Sequence, residues 1–212
     1  MARITIPYAV ADFADMRERG FYYVDKTHYI PGLEDYNAPV FLRPCRFGKS
    51  LLISTLAHYY DRTKANRFEE LFGGTYIGSQ PTPEHNQYMV IRYDFSKMVM
   101  SNSIEGLEQN FNDLNCSPVE IMVTHNRDLF GGFQFNAHRN ASKMLEEVLG
   151  YARAHGLPKV YILIDEYDNF TNTILSSYGQ ERYREKTHGE GFIRGFFNNI
   201  KDSTSNAGAA VE

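Results

Sequence analysis

An α/β fold with a mostly parallel sheet is predicted by three observations along the chain. The run Val160 to Ile164 is continuously apolar and ends in two adjacent carboxylates, Asp165 and Glu166, the pattern of a strand buried on both faces. Ahead of it, Ala141 to Ala154 is amphipathic, with Met144, Leu145, Val148, Leu149 and Ala152 on one side, and Gly156 with Pro158 supplies a stop. Far upstream, Val40-Phe41-Leu42 reads as a short buried strand that leads through Arg43-Pro44-Cys45-Arg46-Phe47-Gly48-Lys49-Ser50 into Leu51, Leu52, Thr55, Leu56, Tyr59 and Tyr60, which recur with a helical period. Strand, turn and helix therefore bracket that loop.

The loop has the chemistry of a phosphate cradle. At the start of a helix the free backbone N–H groups and the positive end of the dipole face outward, which favours a polyphosphate. Gly48 is expected to let the backbone approach the ligand, since a Cβ there would hold it away. Lys49 is expected to reach the β- and γ-phosphates and the Ser50 hydroxyl to ligate magnesium. The nucleotide-binding residues are thus Arg46, Phe47, Gly48, Lys49, Ser50 and Leu51. In the pattern GxxxxGK[ST] the first glycine falls on Arg43, followed by Pro44, which donates no N–H. A shortened cradle is expected, with Arg43 or Arg46 adding charge.

The acidic strand end supplies the other half of such a site. Burying an unpaired carboxylate costs several kcal/mol, so Asp165 and Glu166 belong at the open edge of the sheet, near a cation or water. Asp165 is the expected magnesium partner, and Glu166 the group that orients or deprotonates an attacking water. Lys49 and Glu166 are the expected catalytic residues.

Phe13, Tyr22-Tyr23-Val24-Asp25-Lys26-Thr27, the run from Arg43 to Leu52, Phe68 with Leu71-Phe72, Tyr93-Asp94-Phe95-Ser96, and Leu163-Ile164-Asp165-Glu166-Tyr167-Asp168 together resemble the predicted AAA-ATPase-like family, in order and over most of the chain. Members carry an arginine where this chain has Cys45. The resemblance implies a P-loop NTPase-like three-layer sandwich that takes ATP and Mg2+, with Lys49 and Ser50 at the phosphates and metal and Asp165 with Glu166 as the hydrolytic pair. In many such proteins a PD-(D/E)XK nuclease-like domain follows, and none is visible in these residues.

Composition agrees with one globular unit, at 212 residues, 42% hydrophobic and 14% aromatic. The net charge of -4 argues against nonspecific nucleic-acid affinity over the whole surface. No apolar stretch approaches the roughly 20 residues that span a bilayer, and Met1-Ala2-Arg3 does not open a secretory signal, so a cytoplasmic protein is expected. Cys45 and Cys116 have neither CxxC spacing nor a second pair, and the seven histidines, His125, His138 and His188 among them, lack metal-ligand spacing.

The chain divides into an N-terminal segment, 1–38, a nucleotide-binding core, 39–201, and a small polar tail, 202–212, expected as loop. Met89 to Phe95 alternates as a strand; beyond it lies a polar helix and loop region, Ser101 to Asn140, with no clean period; Phe192 to Lys201 reads as a helix with Phe192, Phe196, Phe197 and Ile200 on one face. Three strand candidates, around Phe41, Ile91 and Ile162, are fewer than such a sheet generally uses, so a core incomplete at the C-terminus and prone to self-association is expected.

Other residues have two readings. Tyr22 and Tyr23 stack on adenine or belong to the core; Asp25 and Thr27 position nucleotide or cap a helix near His28; Asp94 and Ser96 hold water near the γ-phosphate or close a turn; Arg194 acts in trans in an oligomer or is solvated. Three function classes are open: a magnesium-dependent ATPase driving an attached domain, a nucleotide sensor with little hydrolysis, and a nuclease-associated component using Asp165, Glu166 and Asp168. The last expects a lysine close behind the carboxylates, and the nearest downstream is Lys186.

Overall fold

The computed structural model describes residues 5–42, 47–99, 101, 103–136, 140–167, 192–207 and 210–211. Its centre is a parallel sheet in the order β1-β2-β3, formed by Met89–Asp94, Val160–Asp165 and Ala210–Val211. β1 and β2 pair from Met89 opposite Val160 to Asp94 opposite Asp165, so both strands end together in a carboxylate.

Side-chain alternation along these strands makes two cores. Met89, Ile91 and Tyr93 with Val160, Ile162 and Ile164 face one side. Three helices cover it: α6 (Ile104–His125), α7 (Ala141–Ala154) and α8 (Phe192–Ala207). Tyr161 and Leu163 face the other side and pack with Ile53, Leu56, Tyr59 and Tyr60 of α3 (Lys49–Tyr60). The short helices α1 (Phe13–Glu18), α2 (Ile30–Leu33), α4 (Phe68–Phe72) and α5 (Tyr76–Ser79) extend that second core. The described residues thus form helix, sheet and helix layers, an α/β architecture.

The direction of α3 matters for the site. Its last residue, Tyr60, stacks on Tyr161 at 4.4 Å, near the start of β2. The chain beyond is held to Tyr88, just before β1, by the Arg62 amide on the Tyr88 carbonyl at 2.9 Å. α3 therefore ends where the strands begin, and it runs back over the sheet. Its 12 residues span about 18 Å, close to the roughly 20 Å of a six-residue strand. Lys49 accordingly lies toward the end of the sheet where β1 and β2 finish.

Several expectations need correction. Residues 41–42 form no strand; Val40 and Leu42 are 50% and 71% exposed, and β2 is flanked by β1 and β3, so this run has no place beside it. The stretch after Ser101 contains a 22-residue helix, α6, with Pro118 inside it. Its buried stripe, Leu107, Phe111, Cys116, Val119 and Met122, is interrupted by the buried polar side chains of Asn112 and Asn115. Both are satisfied: the Asn112 carbonyl oxygen accepts from the Ala141 amide at 3.0 Å, and the Asn115 amide donates to the Phe111 carbonyl at 2.8 Å. Polar residues on the inner face hid the period. Downstream, α8 continues through Ala207, and Ala210–Val211 pairs with Ile162 and Leu163 where loop is expected.

Phe196 anchors α8, its ring meeting those of Tyr93 and Phe111 edge-on, each at 5.2 Å. Phe196→Ala is expected to cost about 3–5 kcal/mol of stability, measured by urea denaturation; a loss under about 1 kcal/mol would show that α8 is not part of the cooperative core.

Candidate functional site

At the head of α3, Gly48 is the N-cap, with φ 82° and ψ 27°. That is left-handed backbone, which costs an ordinary residue roughly 1–2 kcal/mol. A Cβ there would meet no heavy atom within 4 Å, so conformation, not crowding by the protein, calls for glycine. The Gly48 carbonyl accepts from the Leu52 amide at 2.9 Å and opens the helical ladder. Glycine brings no capping side chain of its own, and none of the described residues is seen to cap this end. The amides of Lys49, Ser50 and Leu51 precede the first intrahelical bond and point out of the helix. Lys49 and Ser50 are half-buried, and Lys49 forms no ion pair among the described residues. Phe47 is exposed, whereas Arg43, Pro44, Cys45 and Arg46 lie outside the described residues.

Asp165 ends β2. It continues the face of Tyr161 and Leu163, the α3 side of the sheet, and is only 5% exposed. Its Oδ2 lies 3.5 Å from Nη2 of Arg92. That is too long for a strong charge-assisted hydrogen bond, so among the described residues this buried carboxylate has only a loose ionic neighbour. Arg92 and Asp94 share this face by alternation with Val90, and the buried Nε of Arg92 has no hydrogen-bond partner among the described residues. Arg92 is not among the residues that the sequence singles out. The signal was there: in an alternating strand parallel to an acidic one, the arginine two residues before Asp94 falls on the same side as Asp165.

Glu166 follows with φ 59°, a left-handed conformation that a side chain other than glycine adopts at a cost, and it is half-buried. The turn breaks the strand alternation immediately after Asp165. Asp168, like Lys186, His138 and His188, lies outside the described residues.

Two other candidate pairs are committed to local structure. Asp94 Oδ1 accepts from the Ser96 amide at 3.1 Å and its hydroxyl at 2.6 Å, with Lys97 Nζ 3.4 Å from Oδ2. Burial opposes ionisation of Asp94, but Ser96 and Lys97 outweigh it and hold its carboxyl below the usual carboxylate range. Asp25 Oδ1 accepts from the Thr27 amide and hydroxyl, and its Oδ2 from the Tyr76 amide at 2.7 Å. The Thr27 hydroxyl oxygen in turn accepts from the Ile77 amide at 3.1 Å. Asp25 and Thr27 therefore pin α5 to the N-terminal segment. Tyr23 is a core residue, edge-on to Phe13 at 5.3 Å, while Tyr22 stands exposed on the wall of a cavity beside α3. His125 occupies the last turn of α6 and Arg194 is exposed on α8. Cys116 is buried. No group of three or more metal-ligating side chains occurs among the described residues, and no described helix is long and apolar enough to cross a membrane.

The family model for Predicted AAA-ATPase matches residues 7–211. The chain belongs to that family. The match takes in the head of α3, β1 and the acidic end of β2 in one unbroken span, and AAA-ATPases are nucleotide-binding proteins. Among curated proteins, the chain is 29% identical over 214 residues to "Uncharacterized protein in vnfD 5'region" of Azotobacter chroococcum mcd 1. The alignment covers 100% of this chain and 37% of that relative, so the chain spans little more than a third of the relative's length. No solved structure matches it.

Asp25 makes the pinning contact testable. Burial raises its pKa, but the Thr27 and Tyr76 donors more than offset this, so the folded value lies below the unfolded one. The stability it contributes is present above the unfolded aspartate value of about 3.9 and is lost as pH falls through the folded value. Asp25→Asn should therefore be less stable than the parent near neutrality, and the gap in urea midpoint should narrow between about pH 5 and pH 2. A gap constant over that range would refute the contact's electrostatic role.

Proposed function

We propose that this chain is an ATP-binding P-loop domain and a magnesium-dependent ATPase, whose hydrolysis drives or regulates an attached effector domain. The observation that carries the reading is the uncapped head of α3, with left-handed Gly48, at the sheet end and on the face where the desolvated Asp165 lies. A helix N-terminus with free amides suits phosphate oxygens. A buried carboxylate with one distant cationic neighbour among the described residues suits a further cation.

In this reading the amides from Phe47 to Leu51 hold the phosphates, Arg46 adds charge, and the Lys49 ammonium meets the β- and γ-phosphates. Ser50 and Asp165 hold the metal. Magnesium, when bound, neutralises phosphate charge and polarises the γ-phosphoryl group. Glu166, turned out of the strand by its left-handed backbone, takes the proton of the attacking water or orients it. Arg92 offsets part of the charge of Asp165. Residues 1–201 act as one unit in a cytoplasmic setting, and the relative's greater length supports a further domain in the whole protein.

A nucleotide sensor with little hydrolysis is favoured by one observation: Arg92 already occupies the neighbourhood of Asp165. A nuclease-associated role has no comparable geometric support among the described residues.

Lys49→Ala is expected to weaken magnesium-ATP binding by at least about tenfold through loss of a charge-assisted contact worth about 1.5–3 kcal/mol, read by calorimetric titration. Unchanged affinity would reject the phosphate assignment. Glu166→Gln should retain binding and lower turnover by about 100-fold or more; if parent and variant release phosphate at the same rate, the sensor reading replaces the ATPase.

A further inference from the structure

Beside the first two turns of α3 lies a cavity of about 660 Å³, within the size range of small-molecule sites. Tyr22, Val24, Tyr29 and Phe47 line it, each between 55% and 62% exposed. Four large apolar side chains left in solvent around one concavity mark a place where something binds. Gly48, Leu51 and Leu52 line the same space, so it is continuous with the head of α3.

The walls offer little to read a ligand's polar edge. Among the described lining residues Lys26 alone is charged. The Thr55 hydroxyl is spent on the Leu51 carbonyl at 2.8 Å, and the Tyr23 ring packs edge-on against Phe13. We propose that this cavity holds the purine base of the nucleotide by stacking on aromatic side chains, separating purine from pyrimidine far better than adenine from guanine. The proposal rests on the phosphate reading of Gly48 to Ser50. Stacking answers to ring area and tolerates changes at the base edge. Strong rejection of one purine would need buried polar groups left unpaired by the wrong base, and the described side chains lining this cavity are committed or solvent-facing. Lys26 only donates, and both purines present an acceptor at N7.

The test is displacement of a ribose-labelled fluorescent ATP from the full chain, with magnesium, by ATP, GTP, CTP and inorganic tripolyphosphate. ATP and GTP should compete within about threefold of each other, and CTP about tenfold more weakly. Tyr22→Ala and Tyr29→Ala should each weaken both purine nucleotides by about 5- to 100-fold and leave tripolyphosphate unchanged. CTP competing as well as ATP, a preference between ATP and GTP beyond about 30-fold, or unaltered affinity in both tyrosine variants would overturn the base assignment; tripolyphosphate displacement that Lys49→Ala abolishes would still uphold the phosphate reading. Loss of no ligand in Lys49→Ala, or no nucleotide binding at all, would overturn both. Undiminished binding of the apolar dye ANS to the cavity under saturating ATP would assign it to another occupant and also overturn the proposal.

Discussion

The parallel pairing of β1 with β2, Met89 opposite Val160 through Asp94 opposite Asp165, is the constraint on which the rest of the molecule depends. A slip of one residue would exchange every side chain between the two faces, because strand alternation has a period of two. Ile91, Tyr93, Ile162 and Ile164 would then leave the core under α6, α7 and α8, and Asp165 would turn away from α3. In the register that exists, apolar burial on both faces and the position of one carboxylate are settled by the same set of hydrogen bonds. On the α3 side of β1, Val90, Arg92 and Asp94 are only half-buried. That is where charge can be tolerated.

The second core orients the helix that faces this edge. Tyr60 is stacked on Tyr161, and its hydroxyl donates to Glu34 at 3.0 Å, which also accepts from Thr82 at 2.8 Å. Burial pushes the Tyr60 hydroxyl and the Glu34 carboxyl upward, with the charge of Glu34 adding to the effect on Tyr60. Further along α3, the buried Ser54 hydroxyl donates to Asp12 at 3.0 Å and accepts from the Phe13 amide at 2.9 Å. Asp12 also caps α1 through the Asp15 amide. The far end of α3 is thus tied to the sheet and its middle to the N-terminal segment. The head of the helix, from Gly48, has no side-chain cap among the described residues and lies beside a cavity that the same N-terminal segment walls. A helix fixed at one end and along one side, with open amides at the other, is suited to meeting an anion without reorganising.

Legibility followed the range of the interactions involved. α7 lies at Ala141–Ala154, the bounds its period predicts, because its amphipathic face and its stop signal are local. β2 was readable because five consecutive apolar residues leave little alternative to double-sided burial. The extent and buried face of α6 were not readable: Asn112 and Asn115 sit on its inner face, and only contacts with Ala141 and the Phe111 carbonyl make them acceptable there. The run Val40 to Leu42 misled for the opposite reason, since apolar character alone does not create a neighbouring strand to pair with. At the candidate site, Gly48, Lys49, Ser50, Asp165 and Glu166 could be picked out by residue type and spacing. Arg92 could not, because its meaning depends on which strand lies beside it.

By itself, then, the sequence determined the local pieces: the helix after Gly48, the buried strand ending in Asp165 and Glu166, and the resemblance that joins them. Only the tertiary structure decided that α3 runs back against the strands, that the Arg92 guanidinium comes within 3.5 Å of Asp165, and that Tyr22, Tyr29 and Phe47 line one cavity. The physical reason is that helix period and apolar runs are written into neighbouring residues, whereas register, helix direction and the walls of a cavity arise from burial between segments far apart in the chain.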